Sequence, residues 1–200
     1  SEMCIRDSSW SAMFDPNSPY KGKIDAYDSP IYIADAAVYL MSTQPHLGIK
    51  NPYALDDTQF AAAVNLLKAQ RPNVSEYWSD YLKQAQAFSS GTSTVGQAWQ
   101  VTVNTAQGNG AKLAATLPKE GATGWSDTWM VATKSAHKTC AYKWMDYIVS
   151  PKVNAQAAEY FGEAPANPKA CTEATDKKLC TTFHATDEAY ASKIQYWTTP

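Results

Sequence analysis

The chain begins its regular pattern with a short apolar run that passes into helical periodicity. Residues 23–28 form a strand candidate, and Ser29-Pro30 follows as the N-cap and first turn of a helix. Apolar residues then recur every three or four positions over residues 31–41, which predicts an amphipathic helix. Strand, tight turn and helix form the α/β unit, and its turn lies where such sheets bind ligands.

The same alternation of apolar runs and helical stretches continues to residue 118. It predicts helices over 60–68, 81–88 and 101–107, and strands over 74–77, 94–99 and 112–117. Pro72 ends the first of these helices, and Pro118 ends the last of these strands. Strands that alternate with helices favour a largely parallel sheet with helices on its faces.

Beyond residue 118 a glycine-punctuated bend leads into a segment that we predict to be extended. Residues 120–124 form the bend, and Trp125 and Asp127 follow it. Helical periodicity then returns, and Gly162 stands where a glycine ends such a helix. The predicted elements of this part are a strand over 129–132, helices over 137–149 and 151–161, and a weaker helix over 187–197.

Trp125 and Asp127 are the most informative pair of residues. In an extended backbone, residues two apart face the same side, so the indole and the carboxylate should point together. A ring face beside an anion holds an organic cation through cation–π attraction and a charge-assisted hydrogen bond. The alternatives are that Trp125 packs in a core, as most large aromatic residues do, and that Asp127 caps a helix or forms a salt bridge.

Composition describes a globular chain and excludes several functions. Hydrophobic residues make up 44% and charged residues 18% of the 200 positions, and the formal net charge is −2. No Lys/Arg cluster indicates nucleic-acid binding, and no apolar run approaches the ~18 residues of a transmembrane helix. The 7 Trp and 12 Tyr residues suit a protein that binds something flat, apolar or cationic.

Three of the four cysteines lie in the part of the chain with regular patterning. Residues 1–8, which include Cys4, have no periodicity and resemble an adapter-derived tail, so we exclude them from fold reasoning. Cys171 and Cys180 bracket a polar segment, which indicates a disulfide-closed surface loop in an oxidising compartment; two free thiols are the alternative. No CxxC motif occurs, and the His and Cys residues lack the spacing of zinc ligands, so no metal is expected.

Several short motifs together resemble the polyamine-type solute-binding proteins of ABC importers, the spermidine/putrescine receptors. Each motif is weak alone, but their order and spacing fit over nearly all of residues 9–200. The matching pieces are Ser9-Trp10, residues 20–23, 96–99, 118–121 and 125–127, Ser150-Pro151, and residues 162–167.

This resemblance implies an α/β fold of the type II periplasmic-binding-protein kind, with two lobes joined by crossing strands. Residues 9–118 would then form one nearly complete second lobe. Residues 119–200 would supply a crossover strand and the C-terminal helices of the first lobe. The chain would be the C-terminal fragment of such a receptor.

The resemblance also implies a set of ligand-binding residues. Trp99, Trp125 and Asp127 match the family's cleft residues, although core packing remains an alternative for Trp99. At the strand–helix turn, where the polyamine receptor carries acids, the chain has one acid, and this departure suggests a smaller or less charged amine. Glu163 stands where the family can carry an aromatic residue; it adds a negative charge, or else covers a helix end or reaches solvent. The expected turn residues are Asp28, Ser29 and Tyr32, with support of the following helix as the alternative for Asp28.

The function implied is that of a monomeric periplasmic or extracytoplasmic receptor. It would capture a polyamine-like amine without cofactor, metal, nucleic acid or catalysis, and deliver it to the membrane permease of an ABC importer. Two other functions remain open. One is a carbohydrate receptor of the same fold, because Trp and Tyr also stack on sugars. The other is a glycosidase that uses Asp127 and Glu163 as a carboxylate pair.

Overall fold

The computed structural model describes residues 8–198, which form two compact units. Unit 1 comprises the described residues 8–125 and 193–198, and unit 2 comprises residues 126–192. The predicted extraneous tail, with Cys4, lies outside the described residues except for Ser8. The predicted lobe division at residue 118 concerns a whole receptor and stays a prediction.

Unit 1 contains a three-stranded parallel sheet, which confirms the predicted parallel arrangement. Its strands are β1 (Ile24–Tyr27), β2 (Val74–Trp78) and β3 (Val95–Gly96), in the order β2-β1-β3. β3 is shorter than the predicted strand over 94–99. The carbonyl of Gln97 accepts hydrogen bonds from two side chains, so it is not available to continue the ladder.

Five helices accompany this sheet in the described part of unit 1; α2 to α5 lie close to the predicted ranges, whereas α1 was not predicted. The capping box between Asp56 and Gln59 begins α3, and Pro72 lies in the 3-10 turn just after its end. The helices are α1 (Ser11–Phe14), α2 (Tyr32–Thr43), α3 (Asp57–Gln70), α4 (Tyr81–Ser90) and α5 (Gln100–Gly108), with 3-10 turns at Pro45–Leu47 and Arg71–Asn73.

The two faces of the sheet differ in chemistry because β1 alternates. Ile24 and Ala26 are fully buried in a core with α1, α2 and α3. Asp25 lies between them in sequence and points to the other face, where Phe88 of α4 and Gly96 approach it. A buried carboxylate therefore lies beneath α4.

A second, two-stranded parallel sheet also belongs to unit 1. β4 (Ala122–Gly124) pairs with β5 (Ile194–Tyr196), with Thr123 opposite Gln195. Gly121 permits this pairing, because its φ is +88° and a Cβ there would lie 2.4 Å from the carbonyl oxygen of Lys193. The helix predicted over 187–197 is therefore wrong for its last residues, since β4 offers them a strand partner.

Two other predicted strands are also wrong. Residues 112–117 and 129–132 are irregular, and most of them are exposed. Both segments have apolar residues, but within the described part of the chain no strand pairs with either of them. An extended apolar segment becomes a strand only where a neighbour satisfies its backbone groups.

Unit 2 is helical and has a small core. Its two long helices confirm the predictions over 137–149 and 151–161, and Gly162 ends the second with a φ of 70°. A disulfide joins Cys171 to Cys180, whereas Cys140 is free and exposed. The helices are α6 (Lys138–Ile148), α7 (Pro151–Phe161), α8 (Ala170–Glu173), α9 (Leu179–Thr182) and α10 (Glu188–Ala191). The core consists of Ala155, Ala158, Ala170, Ala174 and Leu179, with Phe183 packed against it.

Candidate functional site

Five aromatic rings of unit 1 form a continuous row, the aromatic row, from the core to the surface. Tyr27 stacks on Trp78 with ring centroids 4.5 Å apart, and Trp78 meets the edge of Trp99 at 5.1 Å. Trp99 contacts Trp125 at 5.2 Å, and Trp125 contacts Trp197 at 5.3 Å. Trp78 is 1% exposed, while Trp125 and Trp197 are 38% and 37% exposed. The outer end of the row therefore presents partly exposed indoles to solvent.

Each ring of the aromatic row is positioned by the end of a strand or the start of a helix. Tyr27 and Trp78 are the last residues of β1 and β2 and are paired in register. Trp99 directly precedes α5, while Trp125 and Trp197 directly follow β4 and β5. Carboxyl ends of parallel strands meet at one edge of a sheet, which is where α/β proteins bind ligands.

The segment that carries Trp99 is fixed by hydrogen bonds to the carbonyl of Gln97. Trp78 donates its Nε1–H to this oxygen at 3.1 Å, and Gln84 of α4 donates its amide Nε2–H at 2.8 Å. Trp78 is thus both a member of the row and a support for Trp99. From the sequence we interpret Trp78 as structural only, since nothing in the sequence shows its contact with Trp99.

The strands that carry Trp125 and Trp197 are tied to each other and to the body of unit 1. The backbone N–H of Trp197 donates to the carbonyl of Gly124 at 2.8 Å. Thr123 Oγ1 donates to Asp35 Oδ1 of α2 at 2.5 Å. Tyr53 donates its hydroxyl to the carbonyl of Gln195 at 2.5 Å. Both strands are therefore held by side chains that lie far from them in sequence.

The strand–helix turn places two of its three predicted residues near the sheet edge. Asp28 is exposed, and its backbone N–H donates to the carbonyl of Trp78 at 2.8 Å. Ser29 is half-buried and begins the turn into α2. The prediction that Tyr32 contacts a ligand is corrected, because Tyr32 is 3% exposed and packs in the core against Phe14. Its hydroxyl is engaged by the Gln70 side chain, so the ring supports the core and is not presented to a ligand.

Asp127 and Glu163 form a pair of carboxylates in unit 2. Both side chains are exposed by surface area. The carboxyl of Glu163 is nevertheless partly desolvated, and this desolvation, together with the neighbouring negative charge of Asp127, raises the pKa of Glu163. Within residues 8–198 the one ion pair joins His184 to Asp187, so neither carboxylate is neutralised by a base described there. Because two adjacent carboxylates repel each other, a cation placed between them would be stabilised by both charges.

Two further carboxyls, Asp25 and Asp35, are buried in unit 1. Burial is the largest cause that raises the pKa of Asp25 to about 7; the nearby Glu76 adds to the rise and Gln84 opposes it. Burial also raises the pKa of Asp35 to about 7, against the hydrogen bond from Thr123. Both Asp25 oxygens and Asp35 Oδ2 lack a hydrogen-bond partner.

Sequence reasoning missed four of the residues that build or support this site. The available signals were an acid among apolar residues at Asp25 and at Asp35, and the aromatic end of the chain at Trp197. Nothing in the sequence indicates that Tyr53 reaches β5. Long-range contacts of this kind appear only in the folded chain.

The part of the chain that the structure describes contains no cluster of three or more His, Cys, Asp or Glu residues placed to hold a metal ion. None of the helices within residues 8–198 has the length and apolar character needed to cross a membrane.

The chain was compared with protein families and with curated proteins. The family described as bacterial extracellular solute-binding protein matches residues 7–181. The spermidine/putrescine-binding periplasmic protein of Escherichia coli is 28% identical over 160 residues, covering 80% of this chain and 43% of the relative. The putrescine/agmatine-binding protein of Pseudomonas aeruginosa is 28% identical over 126 residues, covering 60% of this chain and 34% of the relative. The chain therefore spans less than half the length of these relatives.

Solved structures show the same fold. The spermidine/putrescine ABC transporter substrate-binding protein PotD of Streptococcus pneumoniae has a TM-score of 0.68 at 16% identity, over 96% of this chain and 56% of that chain. The binding protein MotA of Agrobacterium tumefaciens, in complex with glucopine, has a TM-score of 0.70 at 21% identity, over 96% of this chain and 58% of that chain. The predicted periplasmic-binding-protein-like α/β fold is thus confirmed.

Proposed function

Since the chain belongs to the family of bacterial extracellular solute-binding proteins, we propose that it captures a small organic cation, a polyamine-like amine, for an ABC importer. The family binds solutes and does not transform them. The observation that carries the proposal is the outer end of the aromatic row, where Trp99, Trp125 and Trp197 lie in mutual contact and the last two are partly exposed.

Indole faces supply part of the binding free energy of an amine. One cation–π contact contributes about 0.5–2 kcal/mol, and the upper value applies when the cation is desolvated. Micromolar affinity requires about 8 kcal/mol, so even three rings are insufficient alone. Charged groups must supply the remainder.

Carboxylates are the proposed partners of the ligand's ammonium groups. Asp127 raises the pKa of the neighbouring Glu163, and an ammonium group placed between the two acids would offset the repulsion between their charges. Asp28 and Ser29, at the sheet edge of unit 1, are proposed as further polar contacts. Tyr32 is left out of the proposed site because it is buried and bonded to Gln70.

The proposed ligand class is a short diamine or a singly charged amine. Relatives carry names that specify spermidine and putrescine, or putrescine and agmatine. The turn of this chain offers one acid, Asp28, where a receptor for longer polyamines would need more negative charge. Putrescine and agmatine are therefore the first candidates, ahead of spermidine.

The proposed setting is outside the cytoplasm, with the permease of an ABC importer as partner. The family description is extracellular, and the E. coli relative is named periplasmic. The Cys171–Cys180 disulfide suits an oxidising compartment. The receptor is proposed to act as a monomer.

A titration of amines and sugars tests the proposal. Calorimetry would follow putrescine, agmatine, spermidine, glucose and maltose binding, both to the chain and to a hybrid in which it replaces the matching segment of the E. coli relative. We expect amine binding that weakens as ionic strength rises, because salt screens the attraction between the cation and the carboxylates. Binding of a sugar but no amine, with no salt dependence, would favour the carbohydrate receptor instead.

A further inference from the structure

Two long-range hydrogen bonds fix the strands that carry the outer indoles of the aromatic row. The Thr123 hydroxyl donates to Asp35 of α2, and the Tyr53 hydroxyl donates to the backbone of Gln195. Thr123 and Gln195 face each other as register partners in the β4–β5 pair. Both bonds therefore hold the same rung of the two-stranded sheet; we call them together the strand anchor.

The strand anchor acts close to the proposed ligand contacts. Thr123 precedes Trp125 by two residues, and Gln195 precedes Trp197 by two. The Trp197 N–H bonds to the Gly124 carbonyl, so the strand pair moves as one element up to both indoles. A shift of this rung would displace Trp125 and Trp197 relative to Trp99, which is held separately through Gln97.

We infer that Asp35 and Tyr53 are positioning residues for Trp125 and Trp197, and that a charge on the buried Asp35 side chain destabilises the strand anchor and weakens amine binding. This inference rests on the proposed function, because it concerns the rings that would contact the amine. Nothing in the sequence pattern or in the names of the relatives assigns a role to either residue.

The environment of Asp35 explains why its ionisation matters. Its side chain is buried, Oδ1 accepts the Thr123 hydroxyl, and Oδ2 has no partner. A neutral carboxyl fits this setting, whereas a carboxylate would place an unpaired charge in the core. The hydrogen bond from Thr123 favours the charged form, so burial is what makes a charge at Asp35 unfavourable.

The groups that face Asp35 do not supply a compensating positive charge next to it. Tyr53 and Tyr32 interact with it, and burial raises the pKa of both phenols, so they stay neutral. The elements packed against α2 add few titratable groups: α1 and β4 have none, and β5 has Tyr196. The remaining ones are His46 in the adjoining 3-10 turn, and Asp57 and Lys68 in the first and last turns of α3.

Two opposite pH effects on amine affinity follow. Because burial raises the pKa of Asp35 from 3.8 to about 7, the stability of the anchor falls as pH rises between these values and is lowest above pH 7. Because the pKa of Glu163 is raised above its ordinary value, that carboxylate is protonated at a higher pH than an ordinary glutamate. We expect a bell-shaped affinity profile, with an alkaline limb set by Asp35 and an acidic limb set by Glu163.

Putrescine affinity measured from pH 5 to 8.5 tests this inference through matched variants. The unmodified chain should lose roughly three- to tenfold in affinity between pH 6.5 and 8.5. Asp35→Asn keeps a neutral acceptor for Thr123, so its alkaline limb should vanish while its acidic limb stays. Thr123→Val should bind roughly threefold to tenfold more weakly at pH 6, and Thr123→Ser should restore the affinity. An alkaline limb that persists in Asp35→Asn, or full affinity in Thr123→Val, would overturn the inference.

Amide hydrogen exchange tests the anchor without any ligand. Protection factors at Ala122–Gly124 and Ile194–Tyr196 should be lower at pH 8 than at pH 6 in the unmodified chain, and equal in Asp35→Asn. Equal behaviour of the two proteins would overturn the anchor. If the expected exchange difference appears but no amine binds at any pH, then the proposed function fails while the anchor stands.

Discussion

Three indole rings at the outer end of the aromatic row carry the cation–π part of the proposed affinity. The sequence motifs identify Trp99 and Trp125, because each tryptophan follows a glycine-containing segment. Trp197 is not, because residues 187–197 predict a helix on local pattern alone. Only the pairing of β5 with β4 brings Trp197 to Trp125.

Removal of the Trp197 ring tests whether it contributes to binding. We expect Trp197→Ala to weaken putrescine binding by roughly 2- to 30-fold, which corresponds to the loss of one cation–π contact. Calorimetry measures the effect, and Trp144→Ala is the control, since Trp144 is similarly exposed but lies in α6 outside the row. Equal effects of the two substitutions would show that Trp197 has no special role.

Gly121 allows the chain to approach Lys193 closely enough for β4 to pair with β5. We expect Gly121→Ala to lower the free energy of unfolding of unit 1 by more than about 1 kcal/mol, because it adds a clash with the Lys193 carbonyl to the strain of a positive φ. Gly110→Ala is a matched control, since Gly110 has the same φ of +88° but open space around it. Urea unfolding measures both variants, and equal losses would contradict a role for the close approach.

At the scale of elements, the sequence predicts best where periodicity and end signals agree. α3 has helical spacing, an Asp56 cap and a closing proline, and the structure places it where the pattern does. Residues 112–117 and 129–132 are apolar but irregular, because strand formation depends on a distant partner that local pattern does not reveal. The same reason explains why β5 was predicted as helix, since its partner β4 lies about 70 residues away.

The stability of unit 1 depends on pH through a buried acid in β1. Asp25 of β1 is buried, neither of its oxygens has a hydrogen-bond partner, and its pKa is raised to about 7 from 3.8. Between these values the folded chain binds more protons than the unfolded chain, so stability falls as pH rises. Asp35 adds a second contribution of the same sign.

Unfolding of unit 1 should therefore occur at a higher temperature at pH 5 than at pH 8. We expect Asp25→Asn to reduce this pH dependence, because the amide cannot ionise, with thermal unfolding by circular dichroism as the measurement. Asp28→Asn serves as control, because Asp28 is exposed and follows directly after the same strand. A pH dependence that is unchanged in Asp25→Asn would contradict the assignment.

At the scale of the whole molecule, the two units have different sources of stability. Unit 1 buries large side chains such as Trp78, Phe14 and Ile24 around a sheet. Unit 2 has a core of mostly alanine residues and many exposed aromatic side chains, so its disulfide matters more. The two units differ in how much apolar surface their side chains bury, and the sequence pattern alone does not predict that amount.

Loss of the disulfide should destabilise unit 2 selectively. A bridge that closes a loop between residues nine apart stabilises a fold by about 2–3 kcal/mol, mainly by restricting the unfolded chain. We expect the double substitution Cys171→Ser and Cys180→Ser to reduce hydrogen-exchange protection in α7, α8 and α9 but not in α1 to α5. Cys140→Ser is the control, since that thiol is free. A uniform loss over both units would contradict independent stability.

Recognition of an organic cation by an indole together with an acid is best tested by a double-mutant cycle on Trp125 and Asp127. Putrescine affinity is measured for the unmodified chain, Trp125→Ala, Asp127→Asn and the double variant, with Asp146→Asn of α6 as a charge control. We expect each single substitution to weaken binding and the pair to show a coupling free energy of about 0.5–3 kcal/mol, because the proposed mode of recognition assigns both groups to the same ammonium. Strictly additive effects, or single variants that bind putrescine as well as Asp146→Asn does, would contradict that mode of recognition.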